Sequence, residues 1–211
     1  MTLTQRVAVL ITVAVAGLAP GAVTMAAAPS ASSVPGTAQP AKGCVRRTAL
    51  IRVGVLPVGV AANSKTNTIY VASPGRVSVI NGRTNTVTTT IPVGSMSIGV
   101  TVNPKTNTIY AANRGSNTVS VIRGRTNTVV ATIRVGAVPV DAAVNPDTNT
   151  IYVVRRFPNT VSVINGRTNT VTTTIPVGAL AQQVAANPNT NTIYVTNTGN
   201  NTVSVVAFCP R

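Results

Sequence analysis

An all-β fold assembled from about four copies of one short unit is what this 211-residue sequence predicts, and three observations predict it. The composition is rich in Val, Ile and Thr, whose branched side chains suit a pleated surface, and in Gly, Pro and Asn, which suit tight turns. Landmarks recur at a fixed interval: Tyr70, Tyr110, Tyr152 and Tyr194 each follow "NTI" at spacings of 40, 42 and 42 residues, and Arg83, Arg125 and Arg167 stand 42 apart in "NGRTNTV", "RGRTNTV" and "NGRTNTV". The segments "IRVG", "IPVG", "IRVG" and "IPVG" end at Gly54, Gly94, Gly136 and Gly178. A period near 40 with strand patterning throughout is that of a blade of four strands, so the prediction is a four-bladed β-propeller.

The chain divides in order. Arg6 precedes the apolar stretch "VAVLITVAVAGLAPGAVTMAAA", which ends in small residues, so residues 1–28 are expected to be a secretory signal peptide. Pro20 and Gly21 interrupt that stretch before it reaches the roughly 20 apolar residues of a spanning helix, so no stable membrane span is expected after cleavage. Residues 29–43, rich in Pro, Ser and Ala, read as a linker. Residues 44–211 carry the repeats, with blades expected over about 58–94, 98–136, 140–178, and 182–209 plus 44–54. Within the third unit, strand a is "DAAVN", b is "TIYVV", c is "TVSVI" and d is "TVTTTIPV"; the turns between them are "NPDTN", "RRFPN" and "NGRTN".

Tyr194, Val195, Thr196 and Asn197, followed by "TGNNTVSVV" and in other units by "TNTVTTTIPVG", resemble the YVTN-type β-propeller repeat. The resemblance covers residues 48 to 209. Only the fourth unit spells the tetrapeptide; the others read "YVAS", "YAAN" and "YVVR". The resemblance implies a secreted or surface-exposed propeller, commonly with more blades than four, and it implies no catalytic residues or cofactor.

The two ends of the repeat region complement each other. The first "IRVG" is a strand d with no a, b or c before it, and the last unit has a, b and c but no d. Aligning Gly54 with Gly178 puts Cys44 opposite Thr168, and aligning Asn201 with Asn159 puts Cys209 opposite Arg167, which are neighbours in one c–d turn. The expectation is a ring closed by the N-terminal strand as the outer strand of the last blade and locked by a Cys44–Cys209 disulfide, in the oxidising compartment that secretion supplies. Two alternatives remain: a pair of free thiols, and a strand swapped between chains to give a disulfide-linked dimer or an eight-bladed double ring. The monomer is the expected state. Lipidation at Cys44 is disfavoured because Lys42 stands where a small residue is needed.

Catalytic readings fail on inventory. There is no His and no Glu, and the only carboxylates are Asp141 and Asp147. That leaves no Ser–His or Cys–His pair and no His-ligated metal. Asp147 takes a turn position filled by Lys65, Lys105 and Asn189 in the sister units, as a solvated residue would; Asp141 opens the inner strand and could pair with an Arg. The inner strands "GVAAN", "GVTVN", "DAAVN" and "QVAAN" carry only modest side chains, which argues against a deep pocket. One tyrosine per blade in strand b fits inter-sheet packing better than an aromatic binding ring. The reading is no enzyme, no cofactor and no metal.

Charge is the remaining signal. The chain carries a net +15, or +14 once Arg6 leaves with the leader. In an up-and-down blade the a–b and c–d turns share one rim, which holds Lys65, Lys105, Arg83, Arg123, Arg125 and Arg167, with Arg46, Arg47 and Arg211 near the clasp. The other rim holds Arg76, Arg114, Arg155 and Arg156, with Arg52 and Arg134 at the ends of outer strands. Such a field attracts polyanions, and it also keeps a protein soluble. Candidate ligands for the first rim are an anionic cell-wall polymer, an acidic polysaccharide, lipid head groups or a nucleic acid backbone, the last disfavoured by the few aromatics available for stacking. On the second rim the loop "RRFPN" sets Arg155 and Arg156 beside Phe157, a pairing suited to a protein partner. The expected function is a secreted, non-catalytic binding or scaffold module at the cell envelope, extracellular or wall-associated. A protein-interaction or structural module using the b–c loops is second, and an enzyme of unrecognised type is third.

Overall fold

Asparagine sets the rhythm of this fold. Asn67, Asn85, Asn107, Asn127, Asn149, Asn169 and Asn191 all adopt the left-handed conformation, with φ between 49° and 57°, which Asn tolerates better than most residues. That is the role of the recurrent "TNT": its central residue reverses the chain, and the flanking threonines close the turn through hydroxyl contacts such as Thr66–Thr68 at 3.0 Å and Thr84–Thr86 at 2.7 Å. Between the turns run strands of five to seven residues.

The computed structural model describes residues 49–209. They form fifteen strands in four antiparallel sheets. The first holds β1 (Gly59–Asn63), β2 (Thr68–Ser73), β3 (Arg76–Asn81) and β4 (Thr86–Pro92); the second holds β5 (Ser97–Asn103), β6 (Thr108–Asn113), β7 (Thr118–Arg123) and β8 (Thr128–Arg134). The third holds β9 (Pro139–Asn145), β10 (Thr150–Arg155), β11 (Thr160–Asn165) and β12 (Thr170–Pro176); the fourth has three strands, β13 (Ala181–Asn187), β14 (Thr192–Asn197) and β15 (Thr202–Ala207). A 3-10 turn, Pro188–Thr190, links β13 to β14. Each sheet is a simple meander, so neighbours in sequence are neighbours in space.

Successive sheets stack face to face. Tyr70, Val77, Val79 and Ile91 of the first sheet pack on Val100, Val102, Ile109 and Ala111 of the second. Tyr110, Val119, Val121 and Ile133 of the second pack on Ala142, Val144, Ile151 and Val153 of the third, and Tyr152, Val161 and Val163 of the third meet Val184, Ile193 and Val195 of the fourth. β3, β7 and β11 each lie between two strands of their sheet, and "VSVI" buries four consecutive residues in all three; the Ser120 and Ser162 hydroxyls are bonded internally. The inner strands approach closely: a Cβ on Gly59 would lie 2.6 Å from the Ile98 carbonyl oxygen, and one on Gly99 would lie 3.0 Å from Asp141 Cα.

An asparagine ladder ties the sheets together at one rim. Asn63 Nδ2 donates to Asn107 Oδ1 at 2.8 Å, Asn103 Nδ2 to Asn149 Oδ1 at 2.7 Å, and Asn145 Nδ2 to Asn191 Oδ1 at 3.0 Å. Each donor sits at the end of an inner strand and each acceptor at the left-handed position of the next sheet's first turn.

The fold is thus all-β and propeller-like, but the closed ring of four expected from the sequence is not formed by the described residues. β1 packs on β5, β5 on β9 and β9 on β13, whereas β13 has no comparable packing with β1. Four sheets close only if each turns a quarter-turn from the last. Here the outer strands β4 and β8 still bring Cα atoms within 8 Å of one another, so the turn at that junction is much shallower. Residues 49–54 belong to no strand, and among the described residues β15 pairs with β14 alone and leaves its other edge open. Cys209 is exposed with a free thiol. Cys44, the leader 1–28 and the linker 29–43 lie outside the described residues.

Candidate functional site

The basic rim is built by the same local chemistry in each sheet. At the start of a turn an asparagine side chain accepts the backbone N–H two residues on: Asn81 Oδ1 from Arg83 at 2.8 Å, Asn165 Oδ1 from Arg167 at 2.8 Å, Asn63 Oδ1 from Lys65 at 3.1 Å and Asn103 Oδ1 from Lys105 at 2.9 Å. These Asx turns pin the backbone beneath each cation, so every basic side chain leaves the rim at an equivalent place. In the second sheet Arg123 replaces the asparagine, and the turn is held without an Asx bond, by Asn127 N–H to Arg123 O at 2.8 Å and the Thr126–Thr128 hydroxyl contact at 2.7 Å. That substitution sets Arg123 and Arg125 side by side.

Lys65, Arg83, Lys105, Arg123, Arg125 and Arg167 are all exposed. Lys105 Nζ meets Asp147 Oδ1 at 2.6 Å in an exposed pair, which neutralises that lysine locally while adding little stability. The other carboxylate, Asp141, is half-buried and accepts the Val184 N–H at 3.0 Å, bridging β9 to β13. Shallow grooves separate the basic turns. One of about 450 Å³ is lined by Thr106, Thr108, Arg123, Arg125 and Asn169, and a second of about 360 Å³ by Thr148, Thr150, Asn165 and Arg167. Each presents a threonine hydroxyl pair, beside two guanidinium groups in the first groove and one in the second. Sequence reasoning did not select these threonines, although their place in "TNT" was the available signal.

On the other rim the structure disperses Arg114, Arg155, Arg156 and Phe157. Arg155 takes the position held by Asn197 in the fourth sheet, and its guanidinium lies over Gly136 as Asn197 lies over Gly178. Gly136 has φ +89°, so the close approach requires a residue without Cβ. Arg156 Nη1 donates to Gln182 Oε1 of the next sheet at 3.1 Å. Arg114 is exposed in the second sheet's own b–c turn. Phe157 is the apolar member of this group, 52% exposed, and Met96 in a d–a connection of the same rim is 49% exposed. Tyr70, Tyr110 and Tyr152 are buried between sheets and form no accessible ring. Burial pushes the Tyr70 phenol up and the Tyr110 phenol up to about 12. Arg46, Arg47 and Arg211 lie outside the described residues. Among the described residues no group of three His, Cys, Asp or Glu side chains forms, and no helix is long and apolar enough to cross a membrane.

No family model matches the sequence, and no curated protein matches it. Solved structures do share the fold. The chain is similar to hydrazine synthase from Kuenenia stuttgartiensis, with a TM-score of 0.68 and 20% identity over 78% of this chain and 49% of that one. It is also similar to a functionally unknown protein from Desulfotomaculum acetoxidans DSM 771, with a TM-score of 0.60 and 16% identity over 71% of this chain and 55% of that one. The chain therefore spans about half the length of each of these structures, and identities this low speak to the fold alone.

Proposed function

We propose that this protein is a secreted, non-catalytic YVTN-type propeller module that binds anionic polymers at the cell envelope through its basic rim. The observation that carries this reading is the periodic display of Arg83, Arg125 and Arg167, exposed at equivalent turns of three successive sheets, with Arg123 beside them. A repeating cation array matches a ligand whose negative charges also repeat, and the grooves between the turns offer threonine hydroxyl oxygens as neutral acceptors for polar groups on such a chain. The second-rim reading has less support, because Arg155 is committed to packing on Gly136 and Arg156 to Gln182.

The test is binding of the full chain to a glycerol-phosphate polymer, an acidic polysaccharide and duplex DNA at several salt concentrations. Affinity is expected to fall steeply between about 50 and 200 mM salt. Replacing Arg83, Arg125 and Arg167 together by serine should weaken binding at low salt by tenfold or more and, on DNA, reduce the slope of log K against log salt by about 2 to 3. Binding that is indifferent to salt, or unmoved by the triple substitution, would remove the reading.

We also propose that the leading segment 44–54 supplies the strand that β15 lacks, with Cys44 bonded to Cys209. The open edge of β15 and the exposed Cys209 thiol support it. Alkylation of the exported protein before reduction is expected to label neither cysteine; labelling of both would end this part of the proposal.

A further inference from the structure

We propose that two copies of this chain join head to tail, the last sheet of each packing on the first sheet of the other, to close a ring of eight sheets. The two ends of the array leave complementary surfaces uncovered.

Each junction inside the chain has a presenting face and a receiving face. The presenting face consists of the strand-b tyrosine and two strand-c valines, and wherever a sheet follows, all three are buried: Tyr70, Val77 and Val79, then Tyr110, Val119 and Val121, then Tyr152, Val161 and Val163. The fourth sheet has the same residues in the same register, but Tyr194 is 42% exposed, Val203 54% and Val205 61%. The receiving face consists of strand-a and strand-b residues with one strand-c isoleucine, Ile122 in the second sheet, whose first-sheet counterpart Ile80 is already buried, so the uncovered part is that of strands a and b. In the second sheet the residues of these two strands are Val100, Val102, Ile109 and Ala111, all buried. Their counterparts in the first sheet are Val60, 62% exposed, Ala62, also exposed, and the half-buried Ile69 and Val71. The two uncovered surfaces are therefore the two halves of one interface that the chain already builds three times, and neither carries a charged side chain at these positions. A second copy brings the matching half, whereas an unrelated partner would have to imitate it.

The polar ladder gives the same answer. Asn187 stands at the end of β13 where Asn63, Asn103 and Asn145 end β1, β5 and β9, but the described residues give its Nδ2 no acceptor in a following sheet. Asn67 is the counterpart of the acceptors Asn107, Asn149 and Asn191; it has their conformation, φ 49° against 52°, 52° and 49°, and receives no bond from a preceding sheet. Asn187 of one copy donating to Asn67 of the other continues the ladder across the junction.

The chain lead-in fits as well. Gly54 rests on Ser73 and Arg76 of the first sheet, as Gly94 rests on Asn113 of the second and Gly178 on Asn197 of the fourth. Inside the chain the residues before such a glycine are the outer strand of the preceding sheet. By the same path, residues before Gly54 of one copy belong to the last sheet of the other, which identifies the recipient of the strand proposed above. The pairing itself rests on the exposed faces and does not need the disulfide.

Ring size follows from arithmetic. Propellers run from about four to eight sheets; two copies of four make eight, three would make twelve, and one copy does not bring β13 onto β1. Head-to-tail contacts that close are finite, and two identical junctions related by a two-fold axis satisfy that condition.

The experiment is the mass of the exported full-length protein in solution by light scattering, with and without reductant, for the wild type and two variants, Val60→Glu and Val205→Arg. Both sites are exposed in the single chain, so each variant should keep its thermal unfolding transition. With reductant present, so that no disulfide can hold the copies together, the wild type is expected at twice the chain mass and each variant alone at the single-chain mass. An equimolar mixture of the two variants should return to twice the mass, because one junction is then native and the other pairs Arg with Glu. A folded wild type of single-chain mass overturns the pairing, as does a dimer that neither variant dissociates. If single-chain mass accompanies an internal Cys44–Cys209 bond, the strand closure stands while the pairing falls. If doubled mass accompanies free thiols, the pairing stands and the disulfide falls.

Discussion

Tyr110→Ala is expected to destabilise the chain by about 3 to 5 kcal/mol, the usual cost of emptying a buried aromatic site. In a protein of this size that lowers the thermal midpoint by roughly 10 °C or more. Tyr110 is fully buried between the second and third sheets among Val119, Val121 and Ile151, and two sheets joined by strands on both sides have little freedom to collapse into the void. Tyr194→Ala deletes the same side chain from the same register where no sheet follows, and in the unpaired chain it should cost less than half as much. Calorimetry on both variants checks the contrast. Equal losses would mean that burial at the junction is not what the tyrosine contributes.

The hydroxyl of the same residue acts in the opposite direction. Tyr110 Oη is buried with no hydrogen-bond partner among the described residues, so Tyr110→Phe should be neutral or gain about 1 kcal/mol. Its folded-state value of about 12 stands above the ordinary 10.0 because burial disfavours the phenolate. Below pH 10 the group is neutral in both states and contributes no pH dependence. Between 10 and 12 the unfolded chain releases the proton while the folded chain keeps it, so stability falls as pH rises. Tyr110→Phe should flatten that part of the alkaline unfolding curve, measured by circular dichroism at fixed temperature. Tyr70, raised by the same cause, leaves a residual slope.

The sheets were legible in the sequence because each is encoded locally. Asn in "TNT" reverses the chain by its own tolerance of positive φ, and "VSVI" is a strand whatever surrounds it. Exposure of the Arg83, Arg125 and Arg167 turns follows from the same local code. The shape of the array was not legible. The rotation from one sheet to the next is fixed by how Tyr, Val and Ile interlock across a junction, and a period of 42 residues carries no information about that angle. Inner strands of small residues pointed to a tight axis, but the same residues serve a shallow turn equally well. Arg155 was misleading for a related reason. As part of "RRFPN" it resembled a displayed charge, whereas its register against "YVTN" makes it the replacement for the asparagine that packs on the preceding glycine. The cross-sheet bonds of Asn63, Asn103 and Asn145 were not legible either, since each reaches a residue 44 to 46 positions away.

That cross-sheet bond gives the last large effect. Asn145 is buried; its Nδ2 donates to Asn191 Oδ1 at 3.0 Å, and its Oδ1 accepts the Asp147 N–H at 3.0 Å. Asn145→Ala removes these two bonds and the longer one from the Thr148 N–H at 3.4 Å, and leaves Asn191 Oδ1 without its donor between two sheets, so a loss of about 2 to 3 kcal/mol is expected in urea unfolding. Asn187 makes the turn bond, to the Asn189 N–H at 3.1 Å, but in the single chain it has no ladder bond to lose, so Asn187→Ala should cost only about 1 kcal/mol. The difference between the two variants contains the cross-sheet bond together with the weak second turn bond from the Thr148 N–H, which Asn187 lacks. Combining Asn145→Ala with Asn191→Gly, which keeps the left-handed turn comfortable, should show a coupling of about 1 kcal/mol. The comparison also responds to assembly. Where two copies close one ring, Asn187 acquires the neighbour that Asn145 already has, so the cost of Asn187→Ala should rise towards that of Asn145→Ala as protein concentration increases. In a Val205→Arg background it should stay low at every concentration.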